Sequence, residues 1–99
     1  MYVIEETEIF ANWLESLSDP LAIVHFVKRI ERARLGNFSD SKSVGDGVFE
    51  MRITQGKGYR VYYARKGKIT YLLICGGDKS TQANDIQQAK KLWQHIKEQ

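Results

Sequence analysis

The sequence predicts one α+β domain over residues 1–99, in which a small, mainly antiparallel sheet carries an N-terminal αα-hairpin on one face and a C-terminal helix near its edge. Apolar residues recur at helical spacing in two segments before residue 36 and in one segment after residue 80. Between residues 49 and 63 apolar and polar side chains alternate, which is typical of β-strands. The length of 99 residues and the hydrophobic content of 42% suit a single core.

The N-terminal third is predicted to form a short strand followed by two helices. Residues 2–4, Tyr-Val-Ile, are β-prone, and Thr7 can cap the helix that follows. Asp19 and Pro20 suit the N-cap and first residue of a second helix, and Gly36 suits its C-terminal end. The apolar faces of the two helices consist of Ile9, Phe10, Trp13, Leu14 and Leu17, and of Ile23, Phe26, Val27, Ile30 and Ala33. Helices joined by so short a turn form an αα-hairpin.

Residues 37–47 are polar and glycine-containing, so they are predicted to be a loop, and a β-hairpin follows it. Opposed residues of an antiparallel pair share a face, so the alternation favours a register that keeps apolar side chains together. We predict that Ile53 pairs with Val61 and Met51 with Tyr63. The partners on the other face are then Arg52 opposite Tyr62 and Thr54 opposite Arg60, with residues 55–59 as the loop.

The remainder of the chain is predicted to complete a three-stranded meander and to end in a helix. Lys66 and Gly67 make a tight turn into the largely apolar strand 69–75. After Gly76 and Gly77, Ser80 or Thr81 can cap the last helix. Its apolar face consists of Ala83, Ile86, Ala89, Trp93 and Ile96.

Positive charge is concentrated on the meander. Residues 51–79 contain seven cationic side chains and one anionic side chain, a net charge of +6, whereas the rest of the chain carries −3. The cations are Arg52, Lys57, Arg60, Arg65, Lys66, Lys68 and Lys79. The pattern is open to two interpretations: a solvated face that aids solubility, or a surface for a polyanion such as nucleic acid. The interleaved Tyr59, Tyr62 and Tyr63 favour single-stranded nucleic acid, because arginines bind phosphates while aromatic rings stack on unpaired bases.

Cleavage of RNA by its own 2′-hydroxyl would make further demands on this surface. The reaction needs a base for the nucleophile, positive charge for the phosphorane and an acid for the leaving oxygen. Arg52, Arg60 and Lys79 can supply the charge, and Tyr62, Tyr59 or a lysine of lowered pKa can move protons. Neither histidine lies in the meander, so a mechanism based on paired histidines is not expected.

Other chemistry is weakly represented. Lys42 and Asp46, in the predicted loop, either solvate it or contact the substrate, and no defensible ligand spacing predicts a metal or another cofactor. Cys75 is the single cysteine, which excludes an intramolecular disulfide and a cysteine-based zinc site. No apolar run approaches the ~20 residues of a membrane span, and the acidic N-terminal segment is unlike a signal peptide. We therefore expect a cytoplasmic protein.

Three blocks of the sequence resemble the RelE/ParE toxin superfamily, in particular its HigB-like branch of phage-derived addiction module killer proteins. The blocks are residues 43–52 (SVGDGVFEMR), 58–63 (GYRVYY) and 76–82 (GGDKSTQ). The resemblance implies a toxin of a type II toxin–antitoxin pair, with a helix-turn-helix, HigA-like antitoxin as its partner. It also implies metal-independent cleavage of mRNA on the ribosome.

The resemblance also suggests which residues act. Arg52, Arg60 and Lys79 match basic residues of the mRNA-cleaving relatives and are the catalytic candidates, with Tyr62 as a stacking or proton-relaying group. The candidates for further RNA contact are Lys42, Lys57, Tyr59 and Arg65. Glu50 departs from the pattern, because well-studied RelE proteins carry lysines on this strand. The ParE side of the superfamily inhibits DNA gyrase without cleaving RNA, and it remains the alternative.

Overall fold

A five-stranded sheet with helices on both faces organises residues 1–99 in this computed structural model. The elements are β1 (Val3–Glu6), α1 (Glu8–Ser16), α2 (Pro20–Arg34), β2 (Ser41–Gly45), β3 (Val48–Ile53), β4 (Tyr59–Arg65), β5 (Thr70–Gly77), a 3₁₀ turn (Lys79–Thr81) and α3 (Gln82–Lys97). The strand order is β1-β5-β4-β3-β2, with β1 parallel to β5 and the other neighbours antiparallel. None of the helices is both long enough and apolar enough to cross a membrane. The predicted α+β class is confirmed.

The predicted caps of the first two helices are confirmed. The Thr7 hydroxyl accepts a hydrogen bond from the Phe10 N–H at 3.0 Å and donates one to the Ile74 carbonyl at 2.6 Å. It thereby starts α1 and anchors that helix to β5. The Asp19 carboxylate accepts hydrogen bonds from the N–H groups of the first turn of α2, which Pro20 opens. Gly36 follows α2 with φ 91°, a conformation that glycine adopts without strain.

The segment predicted as a loop contains a further strand, β2, and that part of the prediction is wrong. β2 pairs with β3 through a two-residue turn in which Asp46 has φ 56° and Gly47 has φ 80°. Positive φ at both central residues defines the tight hairpin turn that Asp-Gly favours. The signal was therefore present, but the polar composition of residues 37–47 obscured it.

The hairpin register also differs from the prediction, by two residues. Met51 pairs with Val61 and Ile53 with Tyr59, so that Arg52 lies opposite Arg60 and Glu50 opposite Tyr62. A shift of two residues leaves every side chain on the same face, so alternation alone cannot distinguish the two registers. The loop, residues 54–58, contains two glycines of positive φ, Gly56 at 57° and Gly58 at 74°.

The helices divide between the two faces of the sheet. α1 and α2 cover one core, whose buried residues include Phe10, Phe26, Met51, Ile53, Tyr59, Val61 and Tyr63. α3 covers a second core on the opposite face, formed by Val48, Tyr62, Ala64, Leu72, Ile74, Cys75, Ala89 and Trp93. The expectation that α3 lies near the edge of the sheet is therefore wrong. The apolar residues on that face require a cover, and α3 provides it with Ala89 and Trp93.

Two adjacent glycines at the end of β5 allow helices to approach from both sides. A Cβ atom on Gly76 would lie 2.3 Å from the Trp13 ring of α1, and one on Gly77 would lie 1.8 Å from the Asp85 carboxylate of α3. Neither position therefore accepts a side chain without displacement of its neighbours. Asp78 then caps the 3₁₀ turn by accepting the Ser80 N–H at 2.8 Å. Thr81 occupies the N-cap of α3, as one of the two predicted candidates, but its side chain makes no capping bond.

Candidate nucleic-acid interface

The two central arginines of the predicted site are direct neighbours at one end of the sheet. Arg52 on β3 pairs with Arg60 on β4, and Arg60 pairs in turn with Gly77 on β5. The next row towards the middle of the sheet contains Glu50 and Tyr62. α3 starts beside Gly77 and covers the middle rows, so the arginine row emerges at the helix's N-terminal end.

A concavity of about 350 Å³ forms at this end of the sheet. Four cationic side chains line it: Arg52, Lys57, Arg60 and Lys79. The rest of the lining comes from Ile53, Thr54, Gly56, Gly58 and Tyr59. A recess shared by Lys57, Asp78, Lys79 and Ser80 continues the surface towards the start of α3. We call the four-cation space the basic concavity. It can bind phosphate groups, since it gathers charge that the sequence distributes over 28 positions.

Arg52 is held at the rim by an aspartate. Its Nε and Nη2 atoms donate to the Asp40 Oδ1 atom at 3.1 and 2.8 Å, and the Arg52 side chain is half exposed. Asp40 precedes β2 with φ 57°, and its carbonyl also accepts the Arg52 N–H at 3.0 Å. From α2, the Arg29 guanidinium donates to the Arg52 carbonyl at 2.6 Å. The backbone at Arg52 is thus fixed from two sides, whereas its side chain has only an exposed partner.

Arg60 lies deeper in the concavity than Arg52. Its side chain is 11% exposed, and its Nη1 atom donates to the Gly58 carbonyl at 2.7 Å. Its Nε atom faces the Glu50 Oε2 atom at 3.7 Å, which is beyond hydrogen-bond distance. Nε is thus buried without a hydrogen-bond partner, and Nη1 is the one guanidinium nitrogen that donates a hydrogen bond within the protein. Arg60 is therefore a largely desolvated cation with free donor capacity.

Glu50 is the buried anion beneath this arginine. Its side chain is fully buried, and Oε2 accepts hydrogen bonds from the Tyr62 hydroxyl at 3.1 Å and from the Gln82 amide at 2.9 Å. Oε1 makes no hydrogen bond and lies 3.8 Å from the ammonium group of Lys42. Glu50 thereby connects β2, β4 and the first turn of α3 below the basic concavity.

The roles predicted for two tyrosines do not agree with their positions. Tyr62 is fully buried under α3, and burial, followed by the neighbouring Glu50 carboxylate, raises the pKa of its hydroxyl. It can neither stack on a base nor exchange protons with a substrate directly. Tyr59 points to the opposite face, where its ring packs against Trp13 at 6.3 Å and Phe26 at 6.1 Å. It borders the concavity but presents no open face for stacking, because it is a core residue.

Two of the basic candidates lie outside the concavity. Arg65 is at the other end of β4, where it donates to the Gly67 carbonyl at 3.2 Å and lies over the Tyr71 ring at 5.7 Å. Lys42 is exposed on β2 beside Glu50, without lining the concavity. No group of three or more His, Cys, Asp or Glu side chains lies close enough together to hold a metal ion.

Comparison with known proteins places this architecture in a family. The family described as "Phage derived protein Gp49-like (DUF891)" matches residues 12–94. The chain belongs to this Gp49-like family. An uncharacterized protein of Haemophilus influenzae is 48% identical to this Gp49-like chain over 93 residues, which is 94% of each protein.

The fold is shared more widely than the sequence. A chain in the crystal structure of the intact E. coli RelBE toxin–antitoxin complex superimposes on this Gp49-like protein with a TM-score of 0.66. The alignment covers 79% of this chain and 96% of the other at 16% identity. The predicted RelE-like fold is confirmed, and the closer assignment to the HigB-like branch stays a prediction.

Three residues that support the concavity in this Gp49-like protein were not predicted. Asp40 holds Arg52, Gln82 holds Glu50, and Gly77 leaves space beside Arg60 for the start of α3. Only Gly77 carried a signal, since paired glycines at a strand end indicate close approach of another element. The other two act through contacts across 12 and 32 positions, which no local pattern reports.

Proposed function

We propose that this Gp49-like protein is the toxin of a type II toxin–antitoxin module and acts in the cytoplasm as a metal-independent, ribosome-dependent mRNA endonuclease that inhibits translation. The observation that carries the proposal is the basic concavity, in which four cations meet at the open end of the sheet. The RelE-like fold and the phage-derived family support a toxin. The family resemblance of the sequence supports the activity on mRNA.

Each cation has a task in such a reaction. Attack of the 2′-oxygen on the adjacent phosphorus breaks the bond to the 5′-oxygen and places extra negative charge on the phosphorane. Arg60 stabilises that charge with its free Nη2, and Arg52 joins it after leaving Asp40. Lys79 and Lys57, which share the adjoining recess, hold a flanking phosphate or the leaving oxygen. With Tyr59 and Tyr62 buried, protons move through these lysines or through groups of the ribosome.

Induction of the protein followed by mapping of transcript 5′ ends tests the proposal. Wild-type protein is expected to produce new ends within translated reading frames and to stop growth. Lys79→Ala should reduce cleavage by about tenfold or more, since loss of one charge-stabilising group has effects of about 10²–10³ in other enzymes. Lys68→Ala is the matched control, because Lys68 is also an exposed cation but lies outside the concavity. Growth arrest without new transcript ends would overturn the nuclease activity.

A second candidate is a toxin that inhibits DNA gyrase by binding alone. The observation that favours it is the burial of both tyrosines together with the absence of histidine from the lining of the concavity. Such a toxin would block replication and induce the DNA-damage response while mRNA stays intact. Transcript mapping and a damage reporter, measured in the same induced culture, separate the two activities.

The proposed partner is a helix-turn-helix, HigA-like antitoxin encoded beside this protein. A basic concavity attracts an acidic segment of such a partner, and salt is expected to slow their association. Co-expression with the neighbouring reading frame should restore growth, and the two proteins should elute together. Separate elution without rescue would contradict the pairing.

A further inference from the structure

Glu50 is a fully buried charged side chain, and it lies directly behind Arg60. A carboxylate in such a place is unfavourable unless charges and hydrogen bonds compensate it. Three side chains supply the compensation to its Oε2 atom: Arg60 and Tyr62 from β4, and Gln82 from α3. The arrangement requires an explanation, because a negative charge beside a phosphate-binding surface weakens the attraction for phosphate.

The geometry around Arg60 explains why a buried carboxylate lies beside this surface. Glu50 attracts the Nε side of the Arg60 guanidinium at 3.7 Å, and the Gly58 carbonyl holds Nη1 at 2.7 Å. The planar group is thereby held by one hydrogen bond at Nη1 and by charge attraction at Nε, and Nη2 is left for a ligand. An arginine already ordered in this way loses less conformational freedom when it binds a phosphate.

We propose that Glu50 is a positioning residue that preorganises Arg60 for the phosphate groups of RNA. The inference rests on the proposed function, because it takes RNA as the ligand of the basic concavity. Glu50 itself does not contact the ligand, since its carboxylate is enclosed by β4 and α3. Tyr62 and Gln82 keep the carboxylate in place, which gives the first turn of α3 a part in binding.

The sign of one substitution tests the idea. Glu50→Gln removes a negative charge, so electrostatics alone would strengthen RNA binding. Loss of positioning would instead weaken it, by roughly three- to tenfold, the range for ordering one long side chain. Asp78→Asn is the matched control: it also removes a negative charge beside Lys79, and asparagine can keep the cap on the 3₁₀ turn. Asp78→Asn is expected to strengthen binding.

A double-mutant cycle tells positioning from general destabilisation. Binding of the full-length protein to a fluorescent single-stranded RNA oligonucleotide is measured for wild type, Glu50→Gln, Arg60→Gln and the double variant. If Glu50 acts through Arg60, Glu50→Gln weakens binding only when Arg60 is present, and in the Arg60→Gln background the loss disappears. An equal loss in both backgrounds would overturn the positioning role.

The remaining outcomes are also decisive. Wild-type protein that does not bind the oligonucleotide at low salt would overturn the positioning role for RNA, whereas transcript mapping decides the proposed function independently. Wild-type binding with an unchanged or stronger Glu50→Gln complex would overturn the positioning role alone. If Glu50→Gln does not fold, Gln82→Ala takes its place in the cycle, because it releases one hydrogen bond to the same carboxylate from a partly exposed residue. Gln82→Ala should also weaken RNA binding, by a smaller factor than Glu50→Gln.

Discussion

At the scale of single residues, the structure changes the meaning of Arg60. The alternation along β4 predicts an outward-facing cation, and an outward-facing residue on a sheet contributes little to stability. The side chain is nevertheless 89% buried, because α3 starts over the same face and Glu50 lies beneath it. Arg60 therefore has two functions: it offers a donor to the ligand, and it neutralises a buried carboxylate.

Arg60→Ala is expected to lower the free energy of unfolding by about 3 kcal/mol, since loss of one partner leaves a buried charge uncompensated. Urea denaturation followed by circular dichroism measures the change. Arg65→Ala, an exposed arginine on the same strand whose contacts lie in the β4–β5 turn, is the control and should change stability by about 1 kcal/mol or less. Adding Glu50→Gln to Arg60→Ala should recover much of the loss. Equal stability of the two arginine variants would contradict this role of Arg60 in stability. Because Arg60→Ala is expected to destabilise the protein, toxicity assays are better made with Lys79→Ala.

At the scale of elements, the end of β5 decides how the helices meet the sheet. The Trp13 side chain of α1 packs directly on the backbone of Gly76, and the Asp85 side chain of α3 packs on the backbone of Gly77. The Asp85 carboxylate also accepts a hydrogen bond from the Thr81 hydroxyl at 2.5 Å, which ties the 3₁₀ turn to α3. Because the same turn carries Lys79, the position of that cation depends on this close approach.

Gly76→Ala and Gly77→Ala should each destabilise the protein by about 2 kcal/mol or more, because the added methyl groups overlap neighbouring atoms. Gly77→Ala should also weaken RNA binding, since it displaces the turn beside the concavity. Gly67→Ala is the control: its Cβ atom would lie 3.9 Å from the nearest atom, Thr70 Cβ. Thermal unfolding of the three variants measures the effect. A melting temperature common to all three would show that the turn has room to move.

At the scale of the whole molecule, the fold divides the cationic side chains of the meander between the two ends of the sheet. The net charge is +3, yet four cations meet in the basic concavity, while Arg65 and its neighbours in the β4–β5 turn lie at the other end of the sheet. The charge of the meander is thus divided between two places, and one of them is a concave surface. Binding of a polyanion should be confined to that surface.

The salt dependence of RNA binding reports how many cations contact phosphates. Each phosphate of a single strand that a cation neutralises contributes about −0.7 to the slope of log K against log salt concentration. Four such contacts therefore predict a slope of about −3. Lys79→Ala should make the slope less steep by about 0.7, and Lys68→Ala should leave it unchanged. Anisotropy titrations between low and physiological salt measure both. A slope near zero would contradict an electrostatic interface.

Local and periodic properties of the sequence were sufficient for much of the fold. Thr7, Asp19 and Gly36 mark helix ends because capping involves only neighbouring residues. The alternation from Phe49 to Tyr63 assigned each side chain to a face because the period of a strand is two. The positive charge of residues 51–79 was evident from composition, and four of its seven cationic side chains line one concavity.

The tertiary structure alone decided the pairing of strands, the cover of the sheet and the partners of the arginines. A register shift of two residues preserves every face, so the alternation could not place Arg52 opposite Arg60. The second core determined that α3 covers Tyr62, because the apolar surface of both sheet faces had to be buried at once. The buried Glu50 carboxylate is held by a hydrogen bond from the Gln82 amide, 32 residues away. Such contacts depend on how whole elements pack, and packing is a property of the folded chain rather than of any segment.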